Sequence, residues 1–509
     1  VDVHISLPPR GERTTAIHRQ LAAAIVDGVL APGARLPATR ELAAELSVAR
    51  TTVSAAYDRL LAEGLIEARV GAGTFVADLR GGAGAAGASA SEHRDAPRRP
   101  RSPVSPRSAA RPHRGAGAAS APPALHPVPL IAELAAADDG LAPDPAPERI
   151  RWDFAGGSPD PTLFPHADWR RLVTHHLRPT SPYPGGYGDP TGLPELRAAI
   201  ARHVRLSRAV AADPDDVHVT LGAQHGLGLV ARALLRPGDA VAVEEPGYPP
   251  VRAIFASLGV RVEHVPVDAE GLRVDLLPPR ARLVYATPSH QFPLGMPMST
   301  PRRLALLDWA ERHGAAVVED DYDSEFRYGT RPLDSLHSLD RAGRVIHLAT
   351  FSKSLAPGLR LGFVVAPPGL RDALRFLQRT ERMSADPVPQ AALAELLDTG
   401  VFAARTRRSR RIYAERHRVL TAELVERMPN ALHVIPSHAG LHLTAYLDAA
   451  SPRSAPRLAE LAAAAGIRVT ALDPFYAGAP TANGLLLGFG RIPAADIPAG
   501  VASLARVTR

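Results

Sequence analysis

The chain carries 59 lysines and arginines, and Lys353 is the single lysine among them. An arginine stays protonated and cannot form an imine, whereas a lysine amine can lose its proton and attack a carbonyl. A sequence that uses arginine wherever charge suffices, yet keeps one lysine in Phe351-Ser352-Lys353-Ser354-Leu355, points to that amine as a nucleophile. Other groups suited to chemistry recur along the same half of the chain. Asp320 and Tyr322 stand two residues apart in Glu319-Asp320-Asp321-Tyr322, and Tyr248 closes Glu245-Pro246-Gly247-Tyr248. The turn Gly222-Ala223-Gln224-His225 opens a helical pattern, so its free N–H groups suit an anion such as phosphate. Thr350 and Ser352 flank the lysine, and Arg360 lies seven residues beyond it.

An amine, a carboxylate, a phenol, a stacking ring and a phosphate cradle are together what pyridoxal 5′-phosphate requires. The lysine forms the Schiff base, the carboxylate keeps the pyridine nitrogen protonated, and the phenol bonds the ring hydroxyl. Each motif alone is weak; their joint occurrence in this order is specific.

These groups need a sheet to hold them. From residue 150 onward, apolar β-type runs alternate with helical patterns, which predicts an α/β domain with a mostly parallel sheet. Seven strands are expected: 217–221, 240–244, 261–267, 282–287, 316–320, 344–350 and 362–366. Helices such as 224–235 and 302–313 fall between them. Later runs at 441–447, 467–472 and 485–489 predict a smaller α/β lobe. The polar groups cluster at strand ends, where open α/β sheets place their ligands.

Residues 1–78 have a different character. Ile17, Leu21, Ala24 and Ile25 form a helical stripe, Pro32-Gly33 interrupts it, and a short helix from Arg40 to Leu46 follows with Thr39 as N-cap. A third helix spans 47–60, and runs at 65–70 and 73–76 read as a hairpin across glycines. Three helices and a hairpin make a winged helix-turn-helix, which holds a recognition helix in a DNA major groove. Residues 79–149 are rich in Ala, Gly, Pro, Ser and Arg and read as a flexible linker, with a short helix expected at 130–138. The first 78 residues hold eight arginines against nine acids, so the module itself is not basic. Residues 94–114 hold seven arginines and one acid, which suits a sequence-independent, salt-sensitive grip on DNA phosphates.

The whole chain has a formal net charge of +7, no cysteine, and no run of twenty apolar residues. Disulfides and thiolate metal sites are therefore excluded, and neither a metal site nor a membrane span is expected. The N-terminal stretch lacks the pattern of a secretory signal, and the expected location is the cytoplasm.

The run LPATRELAAELSVARTTVSAAYDRLLAEG resembles the DNA-binding domain of the GntR superfamily, and the match covers nearly all of residues 14–76. The resemblance implies that Arg40, Arg50, Thr51, Thr52 and Ser54 face DNA, with Gly71 at the wing tip. Residues 150–509 resemble the fold-type I aminotransferases. Through YGDPTGLPELRAAIARHV, EDDYDSEFRY and TFSKSLAPGLRLGF, the whole chain is similar to the MocR-type branch of that superfamily. This implies Lys353 as the Schiff-base lysine, Asp320 as partner of the pyridinium, Tyr322 on the phenolate oxygen, and Tyr248 stacked on the ring. Ala223, Gln224, Thr350, Ser352 and Arg360 would contact the phosphate. Tyr187 would reach the phosphate of a neighbouring subunit, which implies a homodimer. His290 and Gln291 take the place of the usual Asn and are given no role beyond proximity. One departure stands out: Leu486, in Gly484-Leu485-Leu486-Leu487-Gly488-Phe489, occupies the position of the arginine that clamps a substrate carboxylate, and Arg491 is out of phase with it.

The expected protein is a regulator on operator DNA whose aminotransferase-like domain senses pyridoxal phosphate and controls vitamin B6 synthesis genes, rather than an enzyme turning over substrate. Two alternatives are an amine effector such as γ-aminobutyrate joined to the cofactor through an imine, and an active aminotransferase with an appended DNA-binding module.

Overall fold

The stripe of Ile17, Leu21, Ala24 and Ile25 lies on α1 (Arg13–Val26) and is buried in one core with Leu42 and Ala43 of α2 (Thr39–Glu45) and Val53, Ala56, Tyr57 and Leu60 of α3 (Arg50–Ala62). The Tyr57 hydroxyl donates to the Pro37 carbonyl at 2.9 Å, which fixes α3 against the turn ahead of α2. The start of α2 differs from the sequence expectation. Ala38, not Thr39, is the N-cap, and Glu41 reaches back to accept from the Ala38 N–H at 3.1 Å. A carboxylate three positions into a helix serves the cap residue from the other side. Thr39 is thereby drawn into the first turn, and its hydroxyl accepts from Arg50 Nε at 3.4 Å. Strands β1 (Ile66–Arg69) and β2 (Gly73–Val76) pair antiparallel, with Ile66 opposite Val76.

This computed structural model describes residues 5–8, 13–63, 65–69, 72–77, 128–137, 150–181, 187–328 and 334–508. It divides into two units, residues 1–120 and 121–509. Gly71 and the basic run 94–114 lie outside the described residues. Within the linker stretch, α4 (Pro129–Ala137) stands where a short helix is expected.

In the second unit a short β3 (Trp152–Asp153) precedes the main sheet, which is built of β4 (Val217–Thr220), β5 (Ala240–Glu245), β6 (Arg261–Asp268), β7 (Gly271–Leu272), β8 (Ala281–Ala286), β9 (Ala316–Asp321), β10 (Val345–Thr350) and β11 (Gly362–Val365). Their order is β4-β11-β10-β9-β8-β5-β6-β7. The stretch from β10 to β6 is parallel, β11 runs against both its neighbours, and β7 turns back on β6. All seven expected strands are present within one residue, and β7, a two-residue return, is the eighth. Strands buried on both faces read as continuous apolar runs, which is why they were legible. Helices α5 (His166–His176) and α6 (Pro194–Arg208) pack one face, and α7 (Ala223–Leu234) and α8 (Pro249–Ser257) the other.

The small lobe is an antiparallel sheet in the order β12 (Leu432–Val434), β13 (His442–Leu447), β16 (Gly484–Gly488), β15 (Thr470–Ala471). Leu443, Ala445, Leu485 and Leu487 bury against Tyr413, Leu420 and Leu424 of the long helix Val401–Arg427. The strand expected at 467–472 is split. Its first half, β14 (Ile467–Arg468), leaves the lobe sheet to pair in parallel with β3. Among the described residues no helix is long and apolar enough to cross a membrane.

Candidate functional site

Lys353 follows β10 and Asp320 ends β9, and these two parallel strands are hydrogen-bonded with Leu348 opposite Asp320. The Lys353 ammonium donates to the Gly157 carbonyl. Gly157 has φ +79°, and a Cβ there would come 3.2 Å from Lys353 Nζ, so glycine keeps this wall clear of the amine. Burial pushes the lysine pKa down, opposed in part by the carboxylates of Asp323 and Asp320. A lowered amine is closer to its nucleophilic neutral form.

Asp320 is 6 % exposed. One carboxylate oxygen accepts from the Tyr285 hydroxyl at 2.5 Å, and the other, Oδ1, is buried with no hydrogen-bond partner among the described residues. Burial drives its pKa up to about 7, with Asp321 adding to the rise against the Tyr285 hydrogen bond. A buried acceptor left unsatisfied is costly unless something supplies a donor. A protonated ring nitrogen is such a donor, so this carboxylate fits the pyridinium of pyridoxal phosphate.

The phenol of Tyr322 shares a 2.9 Å hydrogen bond with His290 Nδ1. His290 is itself held by Asp323, 3.0 Å from the same nitrogen, and by the Ser437 hydroxyl, 3.2 Å from Nε2. His290 has thus gained a specific place, between Tyr322, Asp323 and Ser437. Gln291 is structural: its amide donates to the carbonyls of Pro246 and Phe292 at 2.9 and 2.8 Å, tying the chain after β8 to the turn after β5. Tyr248 stands in that turn, edge-on to Phe292 with ring centroids 5.6 Å apart.

At the far end, Gly222 (φ +85°) leads into α7, whose first residues are Ala223 and Gln224. Gln224 donates its amide to the Tyr248 hydroxyl at 3.1 Å. The guanidinium of Arg360 lies over Gly222 and donates to the Leu221 carbonyl at 2.9 Å. Thr350 donates its hydroxyl to Ser352 at 2.9 Å. Helix N–H groups, two hydroxyls and a guanidinium therefore converge from two strand ends, a set of donors that suits a phosphate. Tyr187 stands apart from this group: it is 89 % exposed, with Arg382 over its ring at 5.1 Å.

Leu486 on β16 is buried in an apolar cluster with Leu294, Phe475 and Tyr476, and it presses on Gly156, beside Gly157. The wall next to the amine is therefore apolar. Arg491 does not substitute for a clamp; it lies 3.7 Å from Asp153, which Arg468 already grips through two nitrogens.

In the first unit, Arg40, Arg50 and Thr51 are exposed, and Thr52 and Ser54 are half-buried along α3. Tyr285, Asp323 and Ser437 join the site without a motif that marks them. The only sequence signal for Asp323 was its place in the EDDYDSEFRY run.

Residues 13–76 match the family described as bacterial regulatory proteins, gntR family, and residues 184–501 match aminotransferase class I and II. The chain is 36 % identical to the probable rhizopine catabolism regulatory protein MocR of Rhizobium meliloti, over 96 % of this chain and 92 % of that one. It is 31 % identical to the pyridoxine biosynthesis transcriptional regulator PdxR of Corynebacterium glutamicum, over 96 % and 95 %. Among solved structures it is similar to LysN, the α-aminoadipate aminotransferase of Thermus thermophilus complexed with N-(5′-phosphopyridoxyl)-L-leucine. That likeness has a TM-score of 0.65 and 30 % identity, and covers 75 % of this chain and 94 % of that one.

Proposed function

The chain belongs to the MocR-type regulators of the gntR family, transcriptional regulators with an aminotransferase-like domain, and from that premise we propose that it binds operator DNA as a homodimer under the control of pyridoxal 5′-phosphate. The observation that carries this reading is the buried Oδ1 of Asp320, for which no donor stands among the described residues. When bound, the cofactor supplies an aldehyde open to amine attack and a cationic ring nitrogen. Lys353 offers the amine, with its proton loosened by burial. Asp320 holds the ring proton, and Tyr322, braced by His290, bonds the ring oxygen. Ala223, Gln224, Thr350, Ser352 and Arg360 would hold the phosphate, and Tyr187 would reach the phosphate of a second subunit. Arg40, Arg50, Thr51, Thr52 and Ser54 meet the DNA, with phosphate contacts for affinity and arginine–guanine contacts for sequence.

The apolar wall at Leu486 favours sensing the cofactor over processing an amino acid, because a substrate carboxylate there would meet leucine and aromatic side chains. By extension from the PdxR relative, genes of pyridoxine synthesis are the proposed targets. The test is binding of the full-length protein to its own upstream intergenic DNA, with and without pyridoxal phosphate, alongside Lys353→Ala. A cofactor-dependent change in affinity or footprint that the variant lacks supports the proposal. A response that appears only when an amine such as γ-aminobutyrate is added assigns the signal to the amine. Absence of specific DNA binding under every condition defeats the regulator reading, and transamination with amino donor and keto acid is then the assay to run.

A further inference from the structure

The face of the main sheet that carries Asp321, opposite Asp320, opens onto a cleft of about 680 Å³ beside the start of helix Val401–Arg427. Packed interiors hold few voids larger than a water molecule, whereas small-molecule pockets run from about 300 to 1,000 Å³. The cleft's floor is apolar, with Phe363 and Phe402 at its centre, and the ring of His203 stands edge-on to Phe402 at 5.2 Å.

Its polar groups do not balance. Arg208 is taken by Asp321 at 2.6 Å and Arg202 by Asp398 at 2.6 Å. Arg327 is different. Its Nη1 donates to the neutral Ser289 carbonyl at 3.1 Å, and its buried Nε has no hydrogen-bond partner among the described residues. The hydroxyl of Thr406, also in the wall, is buried and has no partner among the described residues. Arg407 and Arg410 line the rim without an ion pair among the described residues. The remaining acid, Glu325, is pushed up to about 8 by burial, with Asp321 adding to the rise, so near neutral pH it is a donor more than a counter-charge. What is left over is a set of donors and cations around an aromatic floor.

We propose that this cleft is a second ligand site, separate from the lysine site, for a small carboxylate carried on an apolar, ring-sized body. The carboxylate would be held by Arg327 with Arg410 at the rim, and the body would lie on Phe402 and Phe363. Such a ligand has a direct line to the other face. Arg327 bonds the Ser289 carbonyl and Arg208 bonds the Ser289 hydroxyl at 2.6 Å, and the next residue, His290, braces Tyr322. An occupant drawing on Arg327 would therefore act on the cofactor's ring oxygen through Ser289, His290 and Tyr322 in turn. This coupling rests on the pyridoxal phosphate reading; binding in the cleft does not.

The test is calorimetry on the full-length protein with 3-phenylpropionate, against its neutral amide, both with and without pyridoxal phosphate. The acid is expected to bind at one site per chain, and the amide at least tenfold more weakly. Arg327→Gln should weaken the acid at least tenfold. Arg410→Gln, at an exposed position harmless to folding, should weaken it about threefold. In the loaded protein the acid should shift the visible absorption band of the cofactor. No binding of the acid to the wild-type chain, equal binding of acid and amide, or wild-type affinity in both arginine variants overturns the site. Binding without a band shift overturns the coupling alone. A chain that takes up no cofactor yet binds the acid defeats the cofactor reading and leaves the cleft standing.

Discussion

Asp320 and Asp321 are neighbours in sequence on one strand, and alternation sends them to opposite faces of the sheet. On its face Asp321 is saturated: Arg208 donates to both of its oxygens, at 2.6 and 3.2 Å, and Ser324 adds a hydroxyl at 2.8 Å. On the other face Asp320 has, among the described residues, one partner, Tyr285, and one oxygen with none. Both carboxylates are buried, so the difference lies in hydrogen-bonding capacity left over. A buried charge whose valences are all filled holds the structure together, and one with a valence unfilled is kept for a ligand.

The comparison can be broken most sharply at the lysine that shares the Asp320 face. Lys353→Ala should leave the fold intact and abolish the visible absorption band that pyridoxal phosphate gives on binding, and a retained band would remove Lys353 from the site. Next in size, Arg208→Met strips Asp321 of its counter-charge and should cost about 3–5 kcal/mol of stability in a denaturant titration, because one buried ion is left unpaired. A loss below about 1 kcal/mol would mean that Asp321 is less committed than its geometry indicates.

Asp320→Asn should behave in the opposite way. It should weaken the cofactor at least tenfold, read by absorbance titration, yet not weaken the cofactor-free chain at pH 8. The sign follows from its raised pKa. The unfolded aspartate titrates near its ordinary value and the folded one near 7, so the folded chain binds the extra proton between roughly pH 4 and 7. This group's contribution is full below the unfolded value and is lost as pH rises through 7, with a slope of about 1.4 kcal/mol per pH unit at its steepest. The difference between wild type and Asp320→Asn across that window isolates the effect from Glu244 and Glu325, whose pKa values burial also raises. Smallest is Ser324→Ala, which removes one donor from Asp321. It should cost about 1 kcal/mol of stability with no change in cofactor affinity, and a cofactor effect of that variant would blur the division between the faces.

Much of this was readable in the chain. The seven long strands announced themselves as apolar runs, and Lys353 by being alone of its kind. The turn into α7 was signalled by Gly222 at the mouth of a helical pattern. What was not readable depends on strand order. Arg208 and Asp321 are separated by 113 positions, and His290 and Ser437 by 147. Nothing local to either residue marks the meeting, because sheet order and the docking of the small lobe create it. The cap of α2 was misplaced because Thr39 is the stronger capping residue by type, while Glu41 made Ala38 workable. The break after Arg468 was hidden because 467–472 has a continuous strand-like composition, and its two halves find partners in different sheets.

That break has a mechanical consequence. β14 sits in the small-lobe stretch of the chain, and its partner β3 precedes the main sheet, with Asp153 lying 315 positions before Arg468. The two are clasped by their ladder and by the grip of Arg468 on Asp153. Any rotation of the lobe about the main sheet hauls β3 along with it: the strand that precedes the sheet is hung on the door, not on the frame.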